Sequence, residues 1–216
     1  MLKREPQMSA MRRLILKGFA SAALCCLFAT HSVADAGHFD RLSLRVAGAY
    51  GVPEEGVFRD SLLVEVWGLW SLGPWWVLEA GGGEQWDQFE RSDNSEDVTV
   101  DARYGWLGLR LVIPSESAFN VSAAVRRYRG RMLVNDDEQL RLGFDWGELG
   151  LHWWPDRSPV SISTTLREYW WSNNESHWAV TGQVLTQQRP VAFGLELESA
   201  LDQSEFQVGG SVHYRF

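Results

Sequence analysis

From Arg41 to Phe216 the chain alternates apolar and polar side chains with period 2 over most of its length, and this restricts its fold more than any other feature. In "EFQVGGSVHYRF", Phe206, Val208, Gly210, Val212, Tyr214 and Phe216 share one parity. Glu205, Gln207, Gly209, Ser211, His213 and Arg215 share the other. Successive side chains on a strand point to opposite faces, so this is strand periodicity. The same alternation runs through "RLSLRVAGAY", "SLLVEVWGLW", "AFNVSAAVRRY", "VSISTTLREYWW", "HWAVTGQVL" and "VAFGLELES". No amphipathic helix of useful length, long linker or strong repeat interrupts it, so one domain suffices. Two longer segments, "VTVDARYGWLGLRLVI" and "LRLGFDWGELGLHWW", exchange parity near Trp106 and near Gly147. A β-bulge shifts facing by one residue and suits glycine neighbours, so a bulge is expected at each point.

The N-terminal segment reads differently. Arg12, Arg13 and Lys17 precede an apolar run from Gly18 to Ala29, and small residues follow at Ala34 and Ala36. That order predicts a secretory signal peptide over residues 1–36, cleaved after Ala36 or after Ala34, with Met11 as an alternative start. The apolar run is shorter than the ~20 residues a membrane-spanning helix needs. Cys25 and Cys26 both lie inside it, so the domain at 37–216 is cysteine-free and has no disulfide or thiolate metal site. Residues 1–36 hold five of the 20 Lys and Arg and two of the 28 acidic residues. The remainder therefore carries 15 basic residues, all arginines, against 26 acidic ones. Such a chain repels polyanions globally, which argues against nucleic acid as a partner.

The connections fall into two kinds. "SLGP", "PSES", "PDRSP" and "TQQRP" each contain proline and are short, whereas "GVPEEGVFRD", "GGGEQWDQFERSDNSED", "RGRMLVNDDEQ", "SNNES" and "LDQS" are longer on average and mostly acidic. Counting the runs between them gives ten strands, or eight if a weak pair is lost. An even number of antiparallel strands, with tight turns at one end and longer loops at the other, predicts an all-β fold: a transmembrane antiparallel up-and-down β-barrel. Aromatic placement agrees. Trp70, Trp75, Trp76, Phe119, Trp153, Trp154, Tyr214 and Phe216 fall at the tight-turn end, and Tyr50, Tyr128, Trp170, Trp171 and Trp178 at the other. Two such belts mark the two membrane interfaces.

The last strand also carries a resemblance. Val208, Gly210, Val212, Tyr214 and the terminal Phe216 resemble the assembly signal of Gram-negative outer-membrane β-barrel proteins, a broad class rather than one family. The resemblance implies location in the cell outer membrane, with outer-membrane lipids and lipopolysaccharide as surroundings and the barrel-assembly machinery as a partner. A soluble periplasmic β-barrel binding protein is the competing fold reading.

Function must come from lumen and loops. Turning the polar parity of each strand inward places Glu65, Glu79, Asp101, Arg103, Arg110 and Arg126 in the lumen. Arg141, Asp145, Glu148, Arg167, Glu196, Glu198 and Arg215 join them. In a narrow barrel these mixed charges form an ion-paired interior, giving a structural or narrow-pore protein. An outer-leaflet lipid A modifying enzyme, such as an acyl hydrolase, is the rival class. Its candidates are Glu175, Ser176 and His177, but adjacent strand residues point to opposite faces, so Ser176 and His177 are expected to diverge. His152 and His213 are expected to face inward near the tight-turn end without a metal-binding spacing, and neither a metal nor any other cofactor is expected. Finally, "RRYRGR" concentrates arginines in an acidic protein. Its outward members Arg127, Arg129 and Arg131 are candidates for contact with lipopolysaccharide phosphates, or else balance "NDDE" across the same hairpin.

Overall fold

The computed structural model describes residues 40–54, 57–91, 97–113, 119–135, 138–155, 158–171, 176–186 and 189–216. The expected signal peptide, 1–36, lies outside the described residues. Ten strands follow in order: β1 (Arg41–Glu54), β2 (Val57–Ser71), β3 (Trp76–Arg91), β4 (Val98–Ile113), β5 (Phe119–Val134), β6 (Glu138–Trp153), β7 (Val160–Trp171), β8 (Ser176–Thr186), β9 (Val191–Ala200) and β10 (Ser204–Arg215). Each pairs antiparallel with its sequence neighbours, and β10 closes on β1 from Arg41 opposite Arg215 to Val52 opposite Ser204. Closure leaves no unpaired edge. The expected all-β, ten-stranded, up-and-down barrel is the fold observed.

We call the end carrying Ser71, Trp76 and Arg215 the lower end, and the end carrying Asn135 and Asp202 the upper. The odd residues of β1, β2, β3, β7, β8 and β10 and the even residues of β4, β5, β6 and β9 face the lumen; the other parity faces outward. Outward residues form an apolar belt, in which Leu107, Leu109, Val125, Leu149, Leu195 and Leu197 are all exposed. Trp75, Trp76, Phe119 and Tyr214 edge the belt below, and Tyr50, Trp170, Trp178 and Phe206 edge it above.

Three expectations need correction. No bulge occurs at Trp106 or Gly147, because β4 pairs with β5 and β5 with β6 in unbroken register. What changes there is which face is apolar. Below, the outward side chains are aliphatic; above, the inward ones are aromatic and the outward ones charged. Second, much of the sequence assigned to the longer loops is strand: β3, β4, β5 and β6 run 16 residues each, against 11 in β8 and 10 in β9. About 9–11 residues cross a bilayer as a tilted strand, so the wall from β3 to β6 rises beyond the apolar belt. Third, Trp154, Tyr128 and Trp171 leave the expected belts and turn inward, Trp154 packing on Leu69, Val77 and Val112.

The inward aromatics require space that glycine supplies. A Cβ on Gly81 would lie 2.7 Å from the Trp67 Cβ and 2.8 Å from the Trp106 indole. Gly81→Val is therefore expected to overpack the lumen and lower barrel stability by about 1–3 kcal/mol. Gly182→Ala, at an outward site with no atom within 4 Å, should stay within about 0.5 kcal/mol. Urea unfolding of the lipid-refolded barrel measures both, and equal midpoints would refute the packing account.

Candidate functional site: the barrel lumen

Five layers of side chains fill the lumen from bottom to top. Leu69, Val77, Val112 and Trp154 make an apolar floor, beside which Arg41 and Arg215 stand directly opposite one another. Above it sit two histidines, each held by two serines. The His213 imidazole is bridged by Ser43 and Ser211 at 2.7 Å each, and His152 by Ser122 at 2.8 Å and Ser163 at 2.9 Å. Ser43 is on β1 and His213 on β10, so one of these bonds pins the seam where the barrel closes.

The third layer is an ionic septum. Glu79, which is 0 % exposed, accepts hydrogen bonds from Arg110 Nε and Arg126 Nε at 2.5 Å each. Glu148 accepts from Arg110 Nη2 at 2.7 Å and Arg167 Nε at 2.9 Å. Arg167 also donates to Glu198, which accepts from Thr181 Oγ1 at 2.9 Å and Tyr169 OH at 3.1 Å. On the opposite wall, Arg45 Nη2 lies 2.6 Å from Glu196 Oε1, an ion-pair contact off the hydrogen-bonding direction, and Glu65 accepts from Trp106 Nε1 at 2.8 Å. Nine of the ten strands contribute. The tenth, β10, contributes Gly209, where a Cβ would come within 3.3 Å of Arg45 Nε. Isolated charges in such an interior would be costly; each here has an opposite charge in contact.

An aromatic slab makes the fourth layer, on the β4–β7 side. Tyr128 stacks on Phe144 at 4.5 Å, and Trp146 lies 5.2 Å from Tyr169. The Arg126 guanidinium sits between Trp106 and Trp146, at 4.4 and 4.5 Å, and Arg167 covers Trp146 at 4.5 Å. The septum is thus tied to the slab by cation–π contacts. At the upper mouth, Arg59 joins Asp87 and Glu205, both at 3.0 Å. A cavity of about 410 Å³ is lined from Arg41 and Trp154 at the bottom to His177 and Gln203 at the top.

Of the residues expected in the lumen, Glu65, Glu79, Arg110, Arg126, Glu148, Arg167, Glu196 and Glu198 meet in the septum, and Arg215 faces inward at the lower rim. Asp101, Arg103, Arg141 and Asp145 do not: with no bulge to turn them, they face outward above the belt. Arg45, Arg59, Asp87 and the aromatic slab were missed. The parity of Arg41, Ser43 and Arg45 against Leu42, Leu44 and Val46 is the signal that finds the first of these.

Ser176 and His177 take opposite faces, His177 Nδ1 lying 2.7 Å from Asp202 Oδ2, while Glu175 lies outside the described residues. Among the described residues no group of three or more His, Cys, Asp or Glu is placed to hold a metal. Arg127 is bound to Asp145 by two hydrogen bonds of 2.9 Å, and Arg129 and Arg131 project outward above them.

The chain matches no family model and no curated protein sequence. Its fold is similar to that of the translocator domain of the autotransporter NalP from Neisseria meningitidis, with TM-score 0.55, 10% identity, and coverage of 96% of this chain and 98% of that one. It is also similar to an outer-membrane channel from Pseudomonas putida F1, with TM-score 0.52, 11% identity, and coverage of 85% and 100%. At such identities the likeness concerns fold alone, and the fold is that of outer-membrane β-barrels.

Proposed function

We propose that the protein is an outer-membrane barrel whose lumen is a narrow pore constricted by the ionic septum. The observation that carries this reading is a lumen cavity of about 410 Å³ whose lining runs from Arg41 and Trp154, below the septum, past the septum to His177 and Gln203 at the upper mouth. The apolar belt, with aromatic side chains at both margins, supports the membrane setting. The lower end then faces the periplasm and the upper end the exterior. In this reading residues 1–36 direct export. Val208, Val212 and Tyr214, exposed on the outward face of β10, together with Gly210 and Phe216, form the surface the barrel-assembly machinery reads, and lipopolysaccharide surrounds the upper belt.

The septum sets the expected transport behaviour. Four arginines (Arg45, Arg110, Arg126, Arg167) meet five glutamates (Glu65, Glu79, Glu148, Glu196, Glu198), so fixed charge nearly cancels and ion selectivity is weak. In planar bilayers, barrel that shows heat-modifiable mobility on gels should give small, steady, weakly selective conductance steps. A correctly closed barrel that passes no current would overturn the pore and leave a structural role.

A further inference from the structure

On the outward face of β4, β5 and β6 the register forms a grid. Its uppermost arginine row reads Arg103, Arg131, Arg141, each directly opposite the next across three adjacent strands, with Glu84 of β3 opposite Arg103. The row below reads Gly105, Arg129, Gly143, and the one below that Leu107, Arg127, Asp145, with Trp170 opposite Asp145 on β7. The aliphatic belt begins beneath. Each step of two residues climbs about 7 Å along a strand, and rather less along the barrel axis because strands tilt. The Arg103 row therefore lies roughly 10 Å above the level of Trp170.

Like charges directly opposite one another destabilise a sheet. Three adjacent arginines in one row are such an arrangement, and the protein balances it only in part. Arg103 Nε lies 3.1 Å from Glu84, yet its side chain is 76 % exposed. Arg131 and Arg141 contact no carboxylate among the described residues. Arg129, 61 % exposed, donates to the Tyr128 carbonyl at 2.7 Å and is 4.0 Å from an Asp145 oxygen already engaged by Arg127. Gly105 and Gly143 flank Arg129 without side chains. The Arg129 guanidinium lies over Gly143, where a Cβ would come within 3.3 Å of its Nη1. Over Gly105, where a Cβ would meet nothing nearer than the Gly81 carbonyl oxygen at 3.6 Å, a recess is left under the arginine row.

We propose that this recess binds the phosphates of an outer-leaflet glycolipid headgroup, with Arg103, Arg131 and Arg141 as ligands and Arg129 at its floor. The inference rests on the outer-membrane reading and changes the residues: Arg127 is committed to Asp145, while Arg103 and Arg141, expected in the lumen, join the site. Height carries the choice of ligand. The interfacial aromatic Trp170 marks the top of the acyl region, and lipid phosphates lie just above that level, where guanidinium groups pair bidentately with them. A row of arginines beside an apolar wall suits a phosphate attached to acyl chains better than one free in solution.

The test uses purified full-length barrel in detergent, titrated with bis-phosphorylated lipid A and followed by native mass spectrometry. The triple variant R103Q/R131Q/R141Q should bind about tenfold more weakly, R127Q should bind as the parent does, and dephosphorylated lipid A should bind the parent as weakly as it binds the triple variant. Undiminished binding by the triple variant, or equal binding of both lipids by the parent, would overturn the site. Displacement of lipid A by inorganic phosphate at equal concentration would also overturn it, in favour of a free-phosphate site. Heat-modifiable mobility and outer-membrane fractionation of the triple variant separate loss of this site from failure of the membrane reading itself.

Discussion

Replacing Glu79 with alanine is expected to destabilise the barrel by about 3–5 kcal/mol, the cost of leaving a buried charge without its partner. Glu79 is fully buried and holds two arginines at once. Arg110 keeps Glu148 and Ser122 after the change. Arg126 keeps no carboxylate among the described residues and retains a side-chain hydrogen bond with Tyr128 and its positions over Trp106 and Trp146. Cation–π contacts of that kind offset about 2 kcal/mol when desolvated, less than the loss. The second replacement Arg126→Met removes the stranded charge and keeps an unbranched side chain between the two indoles, so Glu79→Ala/Arg126→Met should recover most of the stability. Urea midpoints of the lipid-refolded barrels decide. If the single and double variants unfold together, the septum is not a coupled network and each ion pair acts alone.

The contrast between these two variants shows what sequence makes legible and what it does not. Strand period, strand number and closure follow from local alternation and turn residues, and all were readable. Glu148 and Arg167, opposite one another on β6 and β7, were readable as an inward pair because each lies in a stretch whose other face is aliphatic. Asp101, Arg103, Arg141 and Asp145 were misplaced for a physical reason. Polarity reports facing only while the surroundings of the wall stay constant. Above the belt the outside becomes water and headgroup while the inside fills with aromatic rings, so the pattern inverts with no change in the backbone. A bulge and a change of solvent give the same sequence signal. Only the ladder separates them, and the misassignment of these residues and the discovery of the outward arginine row are one event. The aromatic slab was hidden likewise: Tyr128 lies about ten residues into β5, where the outer interface is expected, and nothing local shows that the strand runs on to Val134.

The septum also sets the expected size of the pore. In Arg45→Ala/Glu196→Ala, both partners of one contact disappear together, so no buried charge is stranded on that wall except Glu65, which keeps Trp106 Nε1. Arg45→Ala frees room for about three waters and Glu196→Ala for about one to two, at ~30 Å³ apiece. The space opens at the level of the septum, beside Ala47 and Gly209, which are too small to refill it. Single-channel conductance should rise about threefold or more over the parent, because the constriction limits current. Glu196→Gln serves as the matched control: it keeps the bulk and removes one negative charge, so conductance should stay near the parent value while selectivity moves toward anions. If the double variant conducts no better than Glu196→Gln, the limiting constriction lies elsewhere, at the floor of Leu69, Val77, Val112 and Trp154, and the septum braces the barrel without gating its current.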